Sequence, residues 1–211
     1  MGKDYKAPTN RNPRDYYPTP WSMVEQLLEV EEFWTEILEP CCGEAMAISG
    51  YLEERGYSVE AYDLFAGKEG SRRDFLCENR RFRHVITNPP NRLADRFIET
   101  ALRICDGKIA MLLPLDFLQG QGRYDKFFSV GFSPDRVHIF IRRPDFRTPL
   151  RDDGKYKTGS ITYAWFIWTD GRSKNIFRSE FDYIDNREWI LNEKPTKQIR
   201  RDATLDFSAD A

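Results

Sequence analysis

The run Ile86-Thr87-Asn88-Pro89-Pro90 places an amide side chain and two prolines at the end of a short apolar segment. An Asn side-chain oxygen and a proline carbonyl are both acceptors, and two rigidly held acceptors can grip the two hydrogens of an exocyclic amino group. Such a grip turns the nitrogen lone pair toward a methyl donor. Positive charge builds on that nitrogen during transfer, so both acceptors bind the transition state more tightly than the ground state. The prolines fix the backbone and bring no competing N–H. An Asn-Pro pair is also a common turn, so the chemistry depends on where the fold puts it.

A second group of residues lies upstream. In Leu38-Glu39-Pro40-Cys41-Cys42-Gly43-Glu44-Ala45 an apolar run ends in small residues and a glycine before a helical pattern starts. A turn of this kind lets backbone approach a ligand closely, and its free N–H groups suit a carboxylate or a hydroxyl. Asp63 follows Gly43 by twenty positions and closes a second strand pattern. An acidic residue there accepts hydrogen bonds from ribose hydroxyls, or it caps a turn.

These residues act together only if strand ends converge. The pattern predicts a helix over Ser22–Glu32, with Ser22 as N-cap, and a strand over Thr35–Glu39. A helix over Ala45–Arg55 follows, stopped by Gly56, then a strand over Ser58–Tyr62. Further strands are expected at His84–Thr87, Lys108–Leu115, Val137–Ile141 and Tyr163–Thr169, with helices at Leu93–Cys105 and Gly122–Val130. Alternation of strand and helix implies a mostly parallel sheet covered on both faces. Pro144–Ser160 is too rich in Pro, Gly and charge for a helix, so the last two strands should form an antiparallel hairpin. The expected class is therefore α/β, Rossmann-like, closed by a C-terminal antiparallel hairpin. A single domain over 16–186 is expected, with a flexible arm at 1–15 and a polar tail at 187–211.

Composition narrows the partners. The chain has 211 residues, 40% hydrophobic and 31% charged, which fits a soluble globular domain. Its net charge of −2 argues against binding that rests on phosphate contacts alone. Charge is uneven, with seven Lys/Arg against three Asp/Glu over Arg136–Lys157. Within that stretch Arg142, Arg143 and Arg147 are candidates for contact with phosphate, though a solvated face explains such a run equally simply. Cys41, Cys42, Cys77 and Cys105 lack zinc-ligand spacing, so no metal is expected and free thiols in a reducing compartment are. No apolar run approaches a membrane span, and Met1–Arg14 does not read as a signal peptide. A cytoplasmic location without membrane contact is the expectation; the oligomeric state is left open.

Glu39-Pro40-Cys41-Cys42-Gly43, Asp63, Asp74-Phe75 and Asn88-Pro89-Pro90, in this order, resemble the amino-group methyltransferases of DNA. The pattern is most similar to small phage or prophage adenine-N6 methyltransferase-like proteins. Tyr17-Pro18-Thr19-Pro20 resembles the segment that precedes the cofactor loop in such enzymes, and the likeness runs from about Tyr16 to Thr169. The resemblance implies the methyltransferase form of the fold, S-adenosyl-L-methionine as cofactor and adenine N6 in DNA as acceptor. It implies that Thr19 and Pro20 sit by the methionine moiety, with Glu39, Cys41, Cys42 and Gly43 lining it from the loop. Asp63 would hold the ribose, Leu64 and Phe75 would flank the adenine ring, and Asp74 would bond its amino group. Asn88, Pro89 and Pro90 would hold the target amine.

Two positions depart from the family. The loop usually reads Gly-x-Gly, and here it is Gly43-Glu44-Ala45, where a methyl group would crowd the cofactor or oppose a positive φ. After Pro90 the family has an aromatic that stacks on the target base, and here stands Asn91. Phe117 or Trp21 would have to replace that stack, or Phe117 is plain core. The alternatives are an acceptor in RNA, a protein glutamine amide, or a methyltransferase-fold binding protein without activity.

Overall fold

The computed structural model describes residues 17–34, 36–65, 72–144, 146, 159–169 and 178–186. The arm, the tail and Arg147 lie outside them.

Seven strands form one sheet: β1 Glu36–Glu39, β2 Ser58–Ala61, β3 His84–Thr87, β4 Ile109–Pro114, β5 Arg136–Phe140, β6 Tyr163–Trp168 and β7 Glu180–Ile184, in the order β2-β1-β3-β4-β6-β5-β7. The first four run parallel, and β6 enters antiparallel between β4 and β5. The expected closing hairpin is present. β7 was not expected; it pairs parallel with β5 at the edge of the sheet.

The central strands are buried on both faces, which is why they read as continuous apolar runs. Ile37, Ile86, Ala110, Leu112, Trp165 and Ile167 face helices α1 (Trp21–Val30) and α2 (Ala47–Glu54). Leu38, Val85, Met111, Leu113 and Phe166 face α3 (Ala94–Ile104), which offers Phe97, Ile98, Ala101 and Ile104. Spacings of one, three and four residues put these side chains on one stripe of the helix.

Helix ends differ from expectation. The N-cap position of α1 is Pro20, which makes no side-chain cap bond, and Ser22 is buried inside the helix. α2 opens at Ala47 rather than Ala45, because Gly43 (φ 61°) and Met46 (φ 46°) are both left-handed and end the turn only there. Leu93 belongs to a 3-10 turn, Asn91–Leu93, that leads into α3. The helix expected at Gly122–Val130 is a short α segment, Gln121–Arg123, that widens into a π turn over Tyr124–Phe128.

One polar cluster lies in the fold. Glu31, next to the C-terminus of α1, is buried and accepts hydrogen bonds from Lys108 Nζ (2.5 Å), Arg136 Nε (2.5 Å) and, at 2.9 Å, His138 Nε2. Burial alone would raise its pKa; the bonds from His138, Arg136 and Lys108 outweigh that and hold the carboxyl well below the usual range.

Candidate functional site

The C-terminal ends of β1, β2 and β3 open onto one cavity of about 600 Å³. That is the crevice where parallel α/β sheets place ligands. Thr19, Glu39, Cys41, Cys42, Gly43, Asp63, Leu64, Asp74, Phe75, Asn88 and Pro90 all line it.

The loop after β1 is shaped by backbone conformation. Gly43 takes a left-handed φ, and its N–H donates to Asp63 Oδ2 at 3.1 Å. The Phe65 amide donates to Asp63 Oδ1 at 2.7 Å. Asp63 thus ties the loop after β1 to the loop after β2. Ala45 is exposed, has no positive φ and is not on the cavity wall. The crowding expected there is corrected: the strained position of the loop is Met46.

Glu39 lines the cavity yet is only 2% exposed. The Ser49 amide donates to its Oε2 at 2.6 Å. Burial pushes its pKa up to about 7 in spite of that bond. Cys41 donates to the Asn88 carbonyl at 3.3 Å, and its sulfur lies 2.8 Å from Thr87 Oγ1. Burial pushes its thiol pKa far up, so it stays protonated and ties the β1 loop to the end of β3. Burial likewise pushes Cys42 up to about 12.

Asn88 is anchored from the N-terminal segment. Its Nδ2 donates to Thr19 Oγ1 at 3.0 Å and to the Tyr17 carbonyl at 3.4 Å. Among the described residues nothing donates to its Oδ1. On the far wall Asp74 Oδ1 accepts from the Leu76 amide at 2.9 Å, and Phe75 packs on Phe97 with ring centroids 4.9 Å apart. Leu64 and Phe65 are exposed apolar side chains at the rim. Acceptors in the loops and apolar faces opposite them suit a ligand with hydroxyls and a flat ring.

Other predicted residues lie elsewhere. Pro20, Pro89 and Asn91 are absent from the cavity wall. Phe117 is a core residue, 2% exposed and edge-on to Phe128 and Phe166, so it is withdrawn as a stacking partner. Trp21 tilts against Tyr51 instead. Arg142 and Arg143 do not line the cavity; the Arg142 backbone is held by the Asn186 side chain. Conversely, Leu93, Arg96 and Phe97 line the cavity without having been singled out as site residues. Leu93 and Phe97, four apart, lie on the apolar face of the helix pattern, and such a face reads as core.

A parallel sheet closed by β6 and β5, with loops after β1 and β2 that line a cavity, is the class I S-adenosylmethionine-dependent methyltransferase fold. No protein-family model matches the chain, and no curated protein does. Solved structures do. A Pyrococcus horikoshii protein assigned as an RNA methyltransferase matches with TM-score 0.50 and 17% identity, over 76% of this chain and 90% of that one. A Listeria monocytogenes protein assigned as a class I S-adenosylmethionine-dependent methyltransferase matches with TM-score 0.50 and 14% identity, over 80% of this chain and 65% of that one. The modification subunit of an assigned type I restriction enzyme from Vibrio vulnificus gives TM-score 0.52 and 16% identity, over 80% of this chain. This chain spans 46% of that subunit. At these identities the likeness is one of fold.

Proposed function

We propose that this protein is an S-adenosylmethionine-dependent methyltransferase that modifies an exocyclic amino nitrogen, adenine N6 in DNA. One observation carries the proposal: Asn88 faces the same cavity as Gly43 and Asp63, with its amide nitrogen anchored and its oxygen accepting nothing from the described residues. The fold's likeness to an assigned RNA methyltransferase and to the modification subunit of an assigned restriction enzyme supports a nucleic-acid acceptor.

The bound cofactor would supply an electrophilic methyl group on a sulfonium. Asp63 would hold the ribose hydroxyls, and Thr19 with the Gly43 turn would border the methionine end. Leu64 and Phe75 would enclose the adenine, and Asp74 would meet its amino group. Asn88 Oδ1 would accept a hydrogen of the target amine and stabilise the charge that grows on nitrogen; the family resemblance gives the second hydrogen to the carbonyl of Pro89, which lies off the cavity wall.

Asn91 favours a second reading, an amino group in RNA or a glutamine side chain, because Asn cannot stack on a flipped base and no aromatic replaces it at that step of the chain. Transfer of labelled methyl from the cofactor to DNA, RNA and protein, run in parallel, decides between them. Label in DNA as N6-methyladenine supports the first reading, label only in RNA or protein the second. Cofactor binding without transfer to any acceptor defeats both and leaves a binding protein.

A further inference from the structure

We infer that Thr19 is a positioning residue that holds the Asn88 carboxamide in the orientation selected by the Tyr17 carbonyl, with its oxygen left for the acceptor amine. The inference rests on the amino-group methyltransferase reading above. A carboxamide is nearly symmetric in shape, and rotation by half a turn exchanges its acceptor oxygen for an NH2 group. Only one of the two orientations can accept hydrogens from an amine. The loop after β3 cannot make that choice locally, since nothing in it bonds the amide. The carboxamide is held from sixty-nine and seventy-one positions away, by Thr19 Oγ1 at 3.0 Å and by the Tyr17 carbonyl at 3.4 Å, and only the carbonyl distinguishes the two orientations.

The two contacts divide the work. A backbone carbonyl only accepts, so the Tyr17 oxygen repels the rotated form, which would bring oxygen against oxygen. The contact is long, so its preference is weak by itself. The Thr19 hydroxyl is closer and buried; it could serve either orientation, and by accepting from the same Nδ2 it fastens the carboxamide in the one that the Tyr17 carbonyl selects. Its own hydrogen is then left to donate elsewhere, and Thr19 lines the cofactor cavity. A single hydroxyl thus joins the donor side of the site to the acceptor side. The Asn88 backbone is held separately, through its carbonyl, by the Cys41 thiol. Loss of the hydroxyl therefore frees the carboxamide to rotate while leaving the backbone in place.

Thr19→Val keeps the shape and removes the hydroxyl; Thr19→Ser restores it. Three measurements apply: kcat in methyl transfer, cofactor Kd by calorimetry, and the Asn88 side-chain NH2 resonances in a nitrogen-proton correlation spectrum. Those resonances are identified by their loss in Asn88→Asp. A misaligned reacting group costs about ten- to a hundredfold in rate. The expected result for Thr19→Val is a fall of that size in kcat at saturating cofactor, larger than any loss of cofactor affinity, and shifted Asn88 resonances. Thr19→Ser should return all three. Unshifted resonances in Thr19→Val overturn the inference whatever the activity. So does a full kcat in Thr19→Val beside an inactive Asn88→Ala, or a loss explained wholly by weaker cofactor binding. An Asn88→Ala enzyme as fast as wild type instead overturns the underlying methyltransferase mechanism, and this inference with it.

Discussion

Replacing Glu39 by glutamine separates the charge of this buried carboxyl from its shape. Glutamine can still accept the Ser49 amide through its oxygen, but it cannot ionise. In the folded protein burial raises the Glu39 pKa from 4.5 to about 7. The folded state therefore binds this proton more tightly than the unfolded chain does. Its contribution to stability is complete below pH 4.5 and is lost as pH rises through 7. With these two values, the wild type should lose about 2–3 kcal/mol of stability from this group between pH 5 and pH 8. The assay is urea unfolding of both proteins at both pH values. The stability of Glu39→Gln minus that of wild type should increase by that amount on going to pH 8, while groups common to both proteins cancel. Glu31 cancels in particular, because its carboxyl is held ionised well into acid. A difference that is the same at pH 5 and pH 8 would refute the assignment of Glu39 as a protonated carboxyl at the head of the cavity.

Three further outcomes follow from the same geometry. Asn88→Ala should lower methyl transfer by about a hundredfold or more with cofactor affinity nearly unchanged, because it removes an acceptor that strengthens in the transition state; equal turnover in wild type and variant rejects the mechanism. Asp63→Ala should weaken cofactor binding by about 1–3 kcal/mol in calorimetry, the range for a hydrogen bond to a charged acceptor, and unchanged affinity removes Asp63 as the ribose ligand. Met46→Gly should raise the unfolding free energy by up to about 1 kcal/mol, since a left-handed non-glycine costs about 1–2 and glycine returns part of that as chain entropy. Ala45→Gly should give no such gain, and a gain at Ala45 rather than Met46 would contradict the loop conformation.

The strands that could be read from the sequence are those buried on both faces. Ile109–Pro114 and Tyr163–Trp168 are continuous apolar runs because α1 and α2 cover one side and α3 the other. β7 gave no such signal. Four of its five residues are exposed, and its backbone bonds to β5 define it as a strand. The late start of α2 was hidden for a different reason: Met46 is an ordinary helix former, and its left-handed φ is imposed by the turn. In the site, residues at strand ends were legible from their chemical types, and Asn88, Asp63 and the Gly43 loop do share one cavity. The opposite wall was not, because Leu93 and Phe97 carry a core pattern that also faces the cavity. The bond from Asn88 to Thr19 spans sixty-nine positions, and no local spacing encodes it.

The Glu31 cluster imposes an order of assembly. Lys108, Arg136 and His138 follow Glu31 by 77, 105 and 107 positions. A chain emerging from the ribosome completes α1 and β1 long before it makes these three partners. Until then Glu31 is an ionised carboxylate without partners, and burying it would cost several kcal/mol. The end of α1 should therefore remain in water until β4 brings Lys108, and should settle fully only after β5 has been made. The nascent chain would hold the helix that precedes β1 away from the sheet until the strands that flank β6 are both in hand. Premature closure of a half-built sheet is disfavoured by one side chain.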